Sequence, residues 1–208
     1  TAEQIRTYNR RNMFQNHPMS EQLTKATESR SAGKIEDAIA AYSTILERDP
    51  FLDSLLVSRG SLYMRANQPE LGLKDLERAN TLNPEDCITQ SIHAIAMIRN
   101  RQIAKGIRYA EEIMESVPDR PSPLRTDTIY NTACVYGRAI EIEPDAEKQK
   151  EYMTRGILLL RKSIERQQGF HDPQHLLDDP DLNSFHDHEH WNELLEKVRE
   201  NEKKTPRP

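Results

Sequence analysis

Three arginines, Arg65, Arg99 and Arg138, follow one another at intervals of 34 and 39 residues. Each guanidinium presents a planar fork of donors that suits a carboxylate or a phosphate. The other residues able to do chemistry crowd toward the end of the chain. His186, His188 and His190 alternate in Phe185-His-Asp-His-Glu-His-Trp191, and His171 and His175 lie four apart. Alternating side chains share a face on a strand but diverge on a helix, so of the alternating three only His186 with His190 has a helical metal-ligand spacing. Asp179-x-Asp181-x-Asn183 resembles the start of a calcium loop. Ser184, however, stands where the turn needs glycine, and His190 where a bidentate glutamate belongs. The expectation here is a polar cap with acids near a helix start, and no metal. Cys87 and Cys134 are too few for a disulfide framework, and Cys134 sits mid-helix beside Ala133 without a fixed base. No glycine-rich phosphate loop, no serine with a His–Asp pair and no argued carboxylate pair occurs. The sequence therefore predicts a non-enzyme without a cofactor.

The elements that must position these groups are helices. The chain has 208 residues, 36% hydrophobic and 30% charged, with few aromatics and seven glycines, a composition that favours helix over sheet. A net charge of −5 lacks the electrostatic footprint of a nucleic-acid binder; the small basic cluster Arg6, Arg10 and Arg11 does not alter this. No apolar run approaches the roughly 20 residues needed to span a bilayer, and the amino-terminal stretch lacks a secretory pattern. The expected compartment is the cytoplasm. Because the first residue is Thr1, a processed or exported form, or a piece of a longer protein, stands as the alternative.

Periodicity organises the whole chain. Pro50, Pro84 and Pro118 are each 34 residues apart, and each follows an amphipathic stretch, as a helix stop should. With Pro50 counted as position 32 of a 34-residue unit, position 8 is Ala26, Gly60 and Ala94, and position 20 is Ala38, Gly72 and Gly106. Small residues at both positions let two helices approach closely. Larger residues fill positions 24 (Tyr42, Leu76) and 27 (Ile45, Ile113). First helices are predicted over Ser20–Ala32, Asp53–Ala66 and Asp86–Asn100, and second helices over Ile35–Arg48, Pro69–Leu82 and Ile103–Ser116. Pro69 suits a helix start, where its missing N–H costs nothing. These columns strongly resemble tetratricopeptide repeats (TPR). The resemblance implies an all-α, right-handed solenoid of about four helix-turn-helix units with a carboxy-terminal capping helix.

In domain terms the reading is an amino-terminal extension over 1–18, itself a candidate helix. A solenoid over 19–168 follows, with units 19–52, 53–86, 87–120 and 123–168. In the fourth unit Ala133 takes position 8, and Gly156 takes position 20 about eleven residues late. The delay is assigned to a longer first helix and a polar loop within Glu141–Lys150, and the second helix to Met153–Ile164. Residues 169–200 form an acidic, histidine-containing linker and a cap, with Trp191, Leu194, Leu195 and Val198 at i, i+3, i+4 and i+7. Residues 201–208 are expected to be a disordered tail. From Tyr130-Asn-x-Ala-Cys-x-Tyr to Asp178-Asp-Pro-Asp-Leu and Trp191-x-x-Leu, the last unit resembles the end-of-array unit of bacterial multidomain TPR proteins, including those attached to serine/threonine kinases. No kinase motif is present.

The TPR resemblance implies a concave face lined by first-helix positions 2, 5, 9, 12 and 13. It places Val57, Met64, Ile95, Ile98 and Tyr130 as apolar anchors and Arg65, Arg99 and Arg138 as a ladder along one rim. The family's clamp for a carboxy-terminal carboxylate is missing, since its positions hold Leu23, Thr27, Ser58, Ile88 and Ile92. The expected function is a protein-interaction scaffold for a peptide or partner protein, acidic or phosphorylated, without nucleic acid or membrane insertion. Two alternatives remain open. The arginines also suit helix ends as dipole-compensating charges, and the chain could instead be a self-associating or structural module, the non-catalytic regulatory part of a larger bacterial signalling protein.

Overall fold

Amphipathic stretches separated by three- to six-residue punctuation fold as helical hairpins. The computed structural model describes residues 18–166 and 169–204. Its elements are α1 (Pro18–Ser31), α2 (Ile35–Arg48), α3 (Asp53–Arg65), α4 (Pro69–Leu82), α5 (Cys87–Arg99), α6 (Ile103–Ser116), α7 (Pro123–Ile142), α8 (Ala146–Glu165), α9 (Pro173–Asp178), a 3₁₀ turn (Pro180–Phe185) and α10 (Trp191–Lys204). No strand occurs among the described residues. Helices α2, α4 and α6 have the bounds that the proline and small-residue columns predict. Residues 1–17 of the expected extension over 1–18 and the last four residues of the expected tail lie outside the described residues.

The chain divides into two units, Thr1–Asn83 and Pro84–Pro208. In the amino-terminal unit, α1 pairs with α2 and α3 with α4 around Ala26, Ala38, Tyr42, Ile45, Leu56 and Leu62. A Cβ added to Gly72 would stand 2.8 Å from the Gly60 carbonyl oxygen, so α3 and α4 touch backbone to backbone at positions 8 and 20. Arg59 ties the two hairpins together. Its Nε and Nη2 donate to Asp75 at 2.7 and 2.8 Å, and its Nη1 donates to Ser43 of α2 at 3.0 Å.

The hairpin turns repeat as faithfully as the helices. Gly33, Asn67 and Arg101 occupy the same turn position with φ of 71°, 57° and 61°. After each, the next N–H reaches back to a helix-end carbonyl: Lys34 to Ser29 at 2.8 Å, Gln68 to Tyr63 at 2.9 Å and Gln102 to Met97 at 2.9 Å. This closure satisfies carbonyls that a helix end would otherwise leave unpaired. Glycine adopts such a φ freely and asparagine readily, whereas arginine there is strained.

In the carboxy-terminal unit α5 pairs with α6 on the same plan, with Gly106 against the Ala94 carbonyl oxygen at 3.0 Å from an added Cβ. Helices α7 and α8 are longer, 20 residues each. The expected polar loop within Glu141–Lys150 shrinks to residues 143–145. Asp145 caps α8 by accepting from the Glu147 and Lys148 N–H groups, so the charged run beyond it is the helix's first turns rather than loop. Arg125, buried at the start of α7, donates to the Met114 and Val117 carbonyls and closes the end of α6. The capping helix buries Trp191, Leu194, Leu195 and Val198, the face that the i, i+3, i+4, i+7 pattern marks. It also runs four residues past the expected start of the tail. Asn201 explains this, because its Nδ2 donates to the Ile164 and Phe170 carbonyls at 2.8 and 3.0 Å.

Candidate functional site

In the carboxy-terminal unit, the last turn of α5 presents Arg99 and the inner side of α7 presents Tyr130, Cys134 and Arg138. Facing them is the 3₁₀ turn that follows α9. Asp179 starts it, accepting the Asp181 N–H at 2.9 Å, and Pro180 holds its first position. The turn delivers two carboxylates to the two helices. Asp181 Oδ1 accepts Arg99 Nη2 at 2.6 Å, Arg138 Nη2 at 2.7 Å and Arg138 Nε at 2.9 Å. Asp179 Oδ2 accepts the Tyr130 hydroxyl at 2.9 Å and the Cys134 thiol at 3.6 Å. Arg138 Nη2 also donates to the Pro180 carbonyl at 2.9 Å, and Arg138 Nη1 pairs with Glu141.

Apolar contacts flank this ionic centre. The Phe185 ring fills the space that Gly137 of α7 and Gly156 of α8 leave empty, and a Cβ on Gly137 would also strike the Asp181 carbonyl oxygen. The sequence assigns Gly156 to close helix-to-helix approach; the space is in fact taken chiefly by Phe185. Ser184 Oγ donates to the Gly137 carbonyl at 2.8 Å. On the other side Phe170 stacks on Tyr130, with ring centroids 4.3 Å apart and planes 10° from parallel.

Burial sets the protonation states. It pushes the Cys134 thiol well up, and Asp179 and Asp181 add to the effect, so this cysteine is a neutral donor and a poor nucleophile. Tyr130 is raised for the same first reason. Burial works against the Arg138 cation, but Asp181 and Glu141 more than offset it and raise its pKa. The two guanidiniums face the carboxylates of Asp181 and Glu141, with that of Asp179 close by, so the site holds no excess positive charge. Leu182 and Phe185 are wholly buried, each worth about 1.5–3 kcal/mol. Lifting the whole turn away is therefore costly. Rotating the Asp181 side chain outward leaves both anchors in place.

The structure thus brings together Arg99, Arg138 and Tyr130 of the sequence-predicted residues, around a segment of the same chain. Ile95 is half-buried against this unit's core. Ile98 is fully buried and packs against the site of Gly106, as Met64 packs against Gly72 one repeat earlier. Both are hairpin-core residues rather than surface anchors, since position 12 turns inward wherever position 20 is glycine. In the amino-terminal unit Val57 is half-buried and Arg65 exposed. Arg30 of α1 is exposed as well, and neither it nor Arg65 pairs with a carboxylate among the described residues.

Of the histidines, His188 and His190 come together, with ring centroids 5.4 Å apart, but His186 does not join them. His186 lies against Trp191 with ring centroids 4.3 Å apart. No group of three His, Cys, Asp or Glu side chains is placed to hold a metal among the described residues. No described helix is long and apolar enough to cross a membrane. Asp181 and Phe185 went unassigned to the arginines in the sequence because they lie 43 or more residues from them. The local signal was only an acidic Asp-Asp-Pro-Asp run with an aromatic after it.

Adjacent paired helices, small-residue contacts at positions 8 and 20, and a left-handed turn residue every 34 positions define a TPR-like helical repeat fold. The crystal structure of the MamA protein, a TPR-containing protein, has this fold. It matches with a TM-score of 0.51 at 17% sequence identity, covering 91% of this chain and 98% of that one. A second crystal structure of MamA gives a TM-score of 0.48 at 17% identity, covering 86% and 95%. No protein-family model and no curated protein matches the chain.

Proposed function

We propose that this chain is a protein-interaction scaffold that receives an acidic or phosphorylated segment of a partner protein along its first-helix faces, using the arginines at repeat position 13. A TPR-like fold suggests such a scaffold in general. The observation that carries the finer reading is the closure of Arg99 and Arg138 on one carboxylate oxygen of Asp181. Here the protein does to its own acidic segment what the reading requires it to do to a partner's. Arg65 holds the same repeat position in the amino-terminal unit and is exposed, with half-buried Val57 two turns before it on α3. An exposed arginine next to partly covered apolar surface is the composition of a peptide-receiving face.

The test is a fluorescence titration of a labelled acidic peptide, unphosphorylated and phosphorylated, against the full chain and Arg65→Glu. Circular dichroism checks that the variant is folded. Salt-sensitive binding that weakens by about tenfold or more in Arg65→Glu supports the reading. Binding that is unchanged, or absent, overturns it. If the chain instead shows a concentration-dependent mass by sedimentation that Arg65→Glu leaves intact, a self-association module takes its place.

A further inference from the structure

We propose that the turn Asp179–Phe185 is an internal occupant of an anion-receiving site on the carboxy-terminal unit, so that Arg99 and Arg138 accept a partner only when the Asp181 carboxylate leaves them. This rests on the preceding reading of the position-13 arginines as receivers of acidic peptide, and it adds the regulation of one such site and the kind of segment that fits it.

Three features separate this turn from a simple cover. Covering the core needs only the apolar residues, and Leu176, Leu182 and Phe185 supply that with complete burial. The ionic contacts are additional, and they are focused, with three guanidinium N–H groups on a single oxygen. The acidic tip is the less buried part. The Arg99, Arg138 and Asp181 side chains retain 20%, 14% and 15% of their exposure, against none for Phe185. The carboxylate can therefore exchange while the ring stays in its glycine-walled slot. The site is specific in shape as well as charge, since Gly137 and Gly156 together admit a ring four residues after the carboxylate. A fitting partner segment is thus one whose acidic side chain takes the arginines from Asp181 while Phe185 keeps its slot; only where Phe185 is removed can the slot also take a partner's aromatic residue four positions after the acid. With Asp181 and Glu141 in place the arginines carry no excess charge to attract it. The resting chain is closed.

The experiment uses the full chain and, as probe, a fluorescein-labelled peptide of residues 176–187 of this sequence. It is titrated against the native chain, Asp181→Asn, Asp181→Asn/Phe185→Ala, and each of these variants with Arg99→Gln and Arg138→Gln added. Weak binding by the native chain, at least about tenfold tighter binding once Asp181 is neutralised, and loss with the arginines supports internal occupancy. Should the double variant fail to fold, the nearly isosteric Asp181→Asn alone decides, by probe affinity and by faster hydrogen exchange confined to the amides of residues 181–186. Equal affinity in native and Asp181→Asn chains, lost with the arginines, would overturn the occupancy while leaving the arginines as anion receivers. No binding to any folded variant would overturn the occupancy without touching the Arg65 titration.

Discussion

The amino-terminal unit leaves the arginines at its first-helix ends, Arg30 and Arg65, exposed, while the carboxy-terminal unit closes Arg99 and Arg138 on Asp181. Arg65 and Arg99 hold the same repeat position, so the helix they sit on does not make the difference. What differs is whether a carboxylate from beyond the repeats arrives. A repeat position fixes where a side chain emerges; its charge partner is fixed by sequence dozens of residues away.

The contrast can be broken most forcefully at Phe185. Replacing it with alanine opens a cavity between α7 and α8 and should destabilise the carboxy-terminal unit by about 3–5 kcal/mol. Hydrogen exchange should show protection lost there and kept in the amino-terminal unit. Asp181→Ala leaves two guanidiniums facing each other in a mostly buried place. Its expected cost, discounted for their partial exposure, is about 2–3 kcal/mol in chemical denaturation. Arg65→Ala should change stability by no more than about 0.5 kcal/mol, and a cost as large as that of Asp181→Ala would erase the distinction between the units.

A further prediction concerns pH. His93 of α5 is buried edge-on to Tyr109, with ring centroids 5.6 Å apart. Burial first, and Lys105 second, hold its pKa down to about 4. Between its ordinary value near 6.5 and about 4 the unfolded chain binds the proton that the folded chain refuses, so stability is full above that window and falls as the pH drops through it. The carboxy-terminal unit should lose up to about 2 kcal/mol between pH 6.5 and 5, and His93→Gln should flatten that slope. The turns offer a small effect of the opposite sign. Arg101→Gly gives the third turn the freedom Gly33 gives the first, and should raise stability by about 0.5–1 kcal/mol, read as a higher melting temperature.

The hairpins were legible because each is specified locally. Pro50, Pro84 and Pro118 stop helices, and Gly60, Gly72 and Gly106 mark backbone contact, all within one 34-residue frame. Trp191, Leu194, Leu195 and Val198 showed the cap for the same reason. The candidate site was half legible. The arginine column is a periodic signal, but Asp181 and Phe185 belong to no period, and their assignment depends on a chain reversal through α8 and α9. Ile98 and Met64 were drawn as anchors because family position 12 faces the groove. The glycine opposite each in its own hairpin pulls it inward instead, a pairwise effect invisible when columns are read one at a time.

The slot formed by Gly137 and Gly156 also bears on the order in which the molecule matures. On the ribosome the two glycines emerge well before the ring that fills them, since Phe185 comes 29 residues after Gly156. The amino-terminal hairpins carry all their own core residues and can consolidate as they appear. The pair α7 and α8 must wait, with an unfilled groove, until Phe185 has been made. The vulnerable interval in the folding of this unit is therefore the one between the synthesis of Gly156 and that of Phe185, when chaperones would meet α7 and α8 with the slot still open.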